Sequence, residues 1–166
     1  NSIGTQASNR IFLLCKSNGV KADEPTNYKS SDAFEVGITK TGAVFANLKP
    51  ANGSTLNLLS ATTPEGMATP NTWIHVGVSC SQDFRQINIY INGVKQGTGN
   101  GDVVQSYYDK MIFDFAAIGS GYAQPSSMSL NGGIAWLHWF DYQLCADGIA
   151  KDMKGGFCNT AVYPIT

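Results

Sequence analysis

A chain of 166 residues has room for one domain with a sizeable core and is too short for two ordinary ones. Hydrophobic residues make up 43% and charged residues 14%, with a formal net charge of −1, so the chain folds and builds its surface largely from uncharged polar residues. The basic residues are scattered without a run and no apolar stretch reaches membrane-span length, which excludes nucleic acid and membrane insertion as partners.

In chain order, short β-type runs alternate with turn clusters, and no fixed repeat or low-complexity linker interrupts them. RIFLLC (10–15) predicts a buried strand. AFEVGIT (33–39), KTGA (40–43) and VFANL (44–48) predict a hairpin, and TLNLLSA (55–61) another strand. A loop holding Pro64, Gly66 and Pro70 follows. In TWIHVGVSCS (72–81), alternation sets Ile74, Val76, Val78 and Cys80 on one face and Trp73, His75, Gly77 and Ser79 on the other. QINIYING (86–93) repeats the alternation and ends in Asn92-Gly93, the strongest two-residue hairpin signal, so a strand is expected from Val94 to Thr98.

MIFDFAAIG (111–119) and GGIAWLHWFDY (132–142) complete the predicted strands. CADGIAKDMKGG (145–156) predicts a short helix stopped by Gly155-Gly156. The expectation is an all-β fold: a two-sheet antiparallel β-sandwich of jelly-roll type with one short helix near the C-terminus. Residues 1–166 read as a single domain, and the start at Asn1 suggests a processed chain or a piece of a larger protein.

Cys15, Cys80, Cys145 and Cys158 allow three full pairings and do not have zinc-site spacing. Their readings are disulfides in an oxidising compartment or buried thiols. The polar-neutral composition favours an extracellular or virion/particle-surface location, with which the sequon Asn52-Gly53-Ser54 is compatible.

Two stretches carry a resemblance. WIHVGVS with QINIYING (73–93), and AIG with LNGGIAWLHWFDYQLCADGI (117–149), resemble laminin-G-like domains of the concanavalin A-like lectin/glucanase superfamily. The resemblance implies the jelly roll, with 132–142 as the last core strand and Leu137 and Trp139 packed between the sheets. It gives His75 a structural role and places Trp136 and His138 where relatives carry polar residues. The usual strand ending in Trp before RIFLLC is missing, so a larger parent or the tail TAVYPIT (160–166) is expected to complete the sheet edge. Cys145 stands where the family places a capping Ser. A helix to Lys154 followed by a short return makes a Cys145–Cys158 bridge geometrically feasible, leaving Cys15 with Cys80.

The superfamily's glycan hydrolases need paired carboxylates on one strand face, two or four residues apart. No acidic residues here have that spacing, although Asp114 and Asp141 remain a cross-strand candidate, so no enzymatic activity is expected. No cofactor is expected. Calcium, which some relatives hold, has weak candidates in Asp102 and Asp109. Sugar sites combine an aromatic platform with polar side chains. The ligand-binding candidates are therefore Trp136, His138, Tyr107, Tyr108, Tyr122, Gln124, Asp83 and Arg85. The expected partner is a glycan or glycoprotein. The alternative is a structural or protein-interaction domain packed against neighbouring subunits of a larger assembly, such as a viral capsid or appendage decoration or extracellular matrix.

Overall fold

Strands form where branched apolar side chains recur at every second position. A computed structural model that describes residues 10–16, 33–49, 59–101, 115–119 and 129–155 has eight strands. They are β1 (Arg10–Lys16), β2 (Ala33–Ile38), β3 (Val44–Lys49), β4 (Leu59–Thr62), β5 (Val76–Cys80), β6 (Gln86–Ile91), β7 (Val94–Asn100) and β8 (Phe115–Ile118), followed by helix α1 (Ala146–Met153). All pairings between strands are antiparallel among the described residues, in sheets ordered β4-β3-β2-β1-β8 and β5-β6-β7. This is a two-sheet β-sandwich with one short helix.

The core lies between the sheets. Val36, Ile38, Val44, Ala46, Leu48, Leu59 and Ala61 of the larger sheet meet Ile87, Ile89 and Ile91 of the smaller one. Each fully buried aliphatic side chain contributes about 1.5–3 kcal/mol. Ile74, Val76, Val78 and Cys80 line this core, as their alternation predicts. His75, Gly77 and Ser79 belong to the other face, where a Cβ at Gly77 would stand 2.7 Å from Ile149 of α1. Polar residues on the outer side of β6 and β7 satisfy one another: buried Asn88 donates to Gln86 at 3.1 Å and accepts from Thr98 at 2.9 Å.

The β6–β7 turn has Asn92 at φ 51° and Gly93 at φ 80°, the left-handed pair of a type I′ turn. Asn92 also fixes the entry to β5. Its side-chain oxygen accepts from the His75 N–H at 2.9 Å, and its own N–H donates to the His75 carbonyl at 2.9 Å. The ladder of β5 begins at Val76, so residues 72–75 lie outside the strand. Helix α1 starts as expected, with Cys145 as N-cap and no side-chain capping bond.

Close contact between the sheets depends on β7. A Cβ at Gly97 would sit 3.0 Å from the Thr62 carbonyl oxygen, and one at Gly99 would overlap the Ser60 carbonyl oxygen of β4. Both opposing groups are backbone and have little room to yield.

Two expectations are corrected. Residues 132–142 form no strand. The chain enters through a single parallel bridge, Ser129 to Ile11, and a bond from Leu130 N–H to Gly119 O. It then runs without a ladder, and Leu137 and Trp139 are exposed rather than packed in the core. Period-two alternation assigns faces, but a strand also needs a partner edge to take its N–H and C=O groups, and Gly132-Gly133 weakens the approach. The second correction concerns the bridges. Cys15, Cys80 and Cys145 are free thiols, and Cys158 lies outside the described residues. Cys15 and Cys80 belong to opposite sheets of one core. Burial instead raises both thiol pKa values, that of Cys80 to about 11, so they serve as small apolar groups.

Two outcomes are expected. Gly99→Ala should destabilise the domain by about 3 kcal/mol or more in urea unfolding, because neither backbone yields, whereas cavity-free surface changes stay within about 0.5 kcal/mol. In a Cys158→Ser background at pH 8, Cys145 should react with Ellman's reagent in the native state. Cys15 and Cys80 should react only on unfolding, and fast native reaction of either contradicts the burial described.

Candidate functional site

Among the described residues, segment 131–142 carries most of the exposed large apolar side chains. Trp136 is 84% exposed, Trp73 71% and Trp139 59%, so all three tryptophans of the protein face outward in one region. Ile134, Leu137, Tyr142 and Ile118 are exposed beside them. Single exposed hydrophobes are ordinary, but a contiguous group is a mark of an interaction surface.

Side-chain contacts place the segment. At its start, the Trp73 ring lies over Gly133, where a Cβ would come within 3.0 Å of it, and Ile134 reaches Gly119. Further on, Trp139 meets the ring of Phe34 edge-on at 5.8 Å, which anchors it to the end of β2. Phe140 stacks edge-on with both His138 and Tyr142, at 6.3 and 5.7 Å. Then His138 Nδ1 lies 2.6 Å from Asp152 Oδ1 on α1. An ionised carboxylate only accepts, so His138 Nδ1–H is the donor.

Asp152 has a second imidazole neighbour. His75 Nε2 is 3.7 Å from Asp152 Oδ2, too far for a hydrogen bond. The Asp152 side chain is 11% exposed, and His75 Nδ1 is buried without a hydrogen-bond partner. Among the described residues no group of three or more His, Cys, Asp or Glu side chains is arranged to hold a metal ion, this trio included.

The predicted site residues separate. Trp136 and His138 come together on this surface, joined by Trp73, which the sequence reading had set aside. Its signal was present as a repeated pattern, Trp-Ile-His at 73–75 and Trp-Leu-His at 136–138. Asp152 carried no comparable signal, because its contacts span 14 and 77 positions. Asp83 and Arg85 lie at the opposite end of β5 and form the tip itself. Ser81 Oγ donates to Asp83 at 2.6 Å, the Arg85 N–H donates to Asp83 at 3.2 Å, and the two side chains pair at 3.8 Å. The Ser81 hydrogen bond foremost, then those contacts with Arg85, hold the Asp83 carboxyl below the usual carboxylate range. Tyr107, Tyr108, Tyr122, Gln124, Asp102, Asp109, Asp114, the sequon at 52–54 and the tail 160–166 lie outside the described residues.

Three comparisons bear on this arrangement. No curated protein matches the chain. Among solved structures, an S-layer domain-containing protein from Clostridium thermocellum is similar, with a TM-score of 0.41 and 18% identity. The match covers 90% of this chain and 64% of that one, so this chain spans less than two thirds of it. The family model described as the Concanavalin A-like lectin/glucanases superfamily matches residues 11–150, most of the chain and both stretches that carried the resemblance. The chain belongs to the concanavalin A-like lectin/glucanase superfamily.

Proposed function

We propose that this domain is a non-enzymatic recognition module that binds carbohydrate through the surface around Trp136, outside the cell or on a particle surface. The observation that carries this reading is the near-complete exposure of Trp136 beside Trp73 and the His138–Asp152 pair. A sugar offers apolar C–H faces and a rim of hydroxyls. An indole plane flanked by an imidazole and a carboxylate matches both features. The superfamily contains lectins as well as glucanases, and a binding role requires no carboxylate pair.

A second reading rests on the sheet edges. Among the described residues β8 and β5 are edge strands, and the exposed aromatics of residues 131–142 lie nearby. An edge of this kind accepts another chain's strand, which suits a structural domain packed against neighbours in an assembly.

The wild-type domain should bind on a glycan array. Trp136→Ala should weaken that binding at least tenfold, on the order of 1.4 kcal/mol or more, with an unchanged far-UV spectrum. Absence of binding by folded protein, with or without EDTA, sinks the glycan reading. Self-association in light scattering that Trp136→Ala abolishes then supports the assembly reading. Reducing-sugar release from polysaccharides by the wild type would overturn the non-enzymatic assignment.

A further inference from the structure

The two Trp-x-His segments meet at one carboxylate. Each tryptophan stands two residues before a histidine, Trp73 before His75 and Trp136 before His138. The two histidines approach the two oxygens of one carboxylate, His138 Nδ1 at 2.6 Å from Asp152 Oδ1 and His75 Nε2 at 3.7 Å from Oδ2. We propose that Asp152 is the positioning residue of this surface, fixing the segments that carry Trp73 and Trp136 so that the two indoles act together on consecutive units of a saccharide chain. The saccharide part rests on the function proposed above; the positioning part does not.

Three observations support the clamp. First, neither segment has a strand ladder to hold it, and His138 to Asp152, at 2.6 Å, is the short polar tether of residues 131–142 to α1. Second, α1 is itself seated firmly. Ile149 fills the space above Gly77, and Ala150 and Met153 close on Gly93, where a Cβ would meet Ala150 at 3.3 Å. Third, Asp152 lies in the last turn of α1, where the helix dipole disfavours a negative charge. A residue that breaks a local preference while nearly buried between two imidazoles is explained by those partners. Trp73 packs against Gly133, so the segments touch at one end and are clamped at the other.

Since the protein has three tryptophans, its three indole N–H resonances report on this surface alone. Single Trp→Phe variants assign them. Asp152→Ala should shift the Trp73 and Trp136 resonances and weaken oligosaccharide binding roughly tenfold, the scale of one charge-assisted hydrogen bond. His138→Ala should move the Trp73 resonance in the wild-type background and no longer do so in Asp152→Ala, a coupling that general loosening does not produce. If Asp152→Ala fails to fold by circular dichroism, His138→Ala and His75→Ala carry the test, each moving the other segment's tryptophan. Unmoved resonances in either case overturn the clamp. The probes for the platform are cellohexaose, xylohexaose and chitohexaose, each against its disaccharide. At least one hexasaccharide should bind more tightly than its disaccharide and perturb both indoles. Equal affinity, or perturbation of Trp136 alone, overturns the joint platform. If no saccharide perturbs an indole while Asp152→Ala still does, the glycan reading fails and the clamp stands.

Discussion

The approach of β7 to β4 is the constraint on which the rest of this domain depends. Gly97 and Gly99 bring one backbone against the other at the Thr62 and Ser60 carbonyls. With the sheets joined there, Ile87, Ile89 and Ile91 of β6 are driven into the aliphatic face of β3 and β4 and become fully or nearly fully buried. A side chain at either glycine would lift β7 away and open the core along its length. The seam also fixes which strands have no counterpart. The larger sheet continues past β2 to β1 and β8, whereas the smaller one ends at β5 among the described residues.

The candidate surface lies at that mismatch. Residues 129–140 begin at β1 and β8, through Ile11 and Gly119, pass Trp73 before β5, and reach β2 through Trp139 and Phe34. They cross the span where the two sheets differ in width without forming a ladder. What holds them is a series of side-chain contacts. This explains how so many apolar groups stay outside: a strand in a sheet would commit alternate residues to the core, whereas a segment without a ladder leaves Trp136, Leu137 and Trp139 all exposed.

Much of the fold was legible because its signals are local. The Asn92-Gly93 turn, the alternation from Ile74 to Cys80 and the helix after Cys145 each follow from a few adjacent residues. The segment around Trp136 is expected as a strand from its run of aromatic and branched residues and from the resemblance, neither of which shows whether it joins a sheet. Alternation states which side a residue faces, and only the third dimension states whether an edge waits there. The cysteines failed similarly. Two thiols bound for one core look alike whether they bond or pack, and spacing in sequence does not fix their separation across sheets. Part of the candidate site was legible: Trp136 and His138 from an aromatic cluster at positions where relatives are polar. Asp152 was not, because a carboxylate near a helix end looks like any solvated acid until two imidazoles 14 and 77 positions away converge on it.

The proposed binding surface, built on a segment without a ladder, must answer an entropic objection. Each residue ordered on binding costs about 1–2 kcal/mol in backbone freedom, so a loose aromatic loop would lose much of what stacking contributes. The corner at the start of β5 meets that objection through contacts already in place. Asn92, held left-handed by its turn, grips the His75 backbone at two points, and Gly93 of the same turn receives Ala150 and Met153 of α1. The helix then presents Asp152 to His75 and His138 at once. A rigid hairpin thus orients a helix, the helix orients two imidazoles, and those lie two residues from the two most exposed tryptophans. The ordering is completed on folding, within a core that stabilises the domain for other reasons. Exposure of the indoles and fixity of their roots are compatible, and that combination separates a recognition surface from an edge that merely lacks a cover.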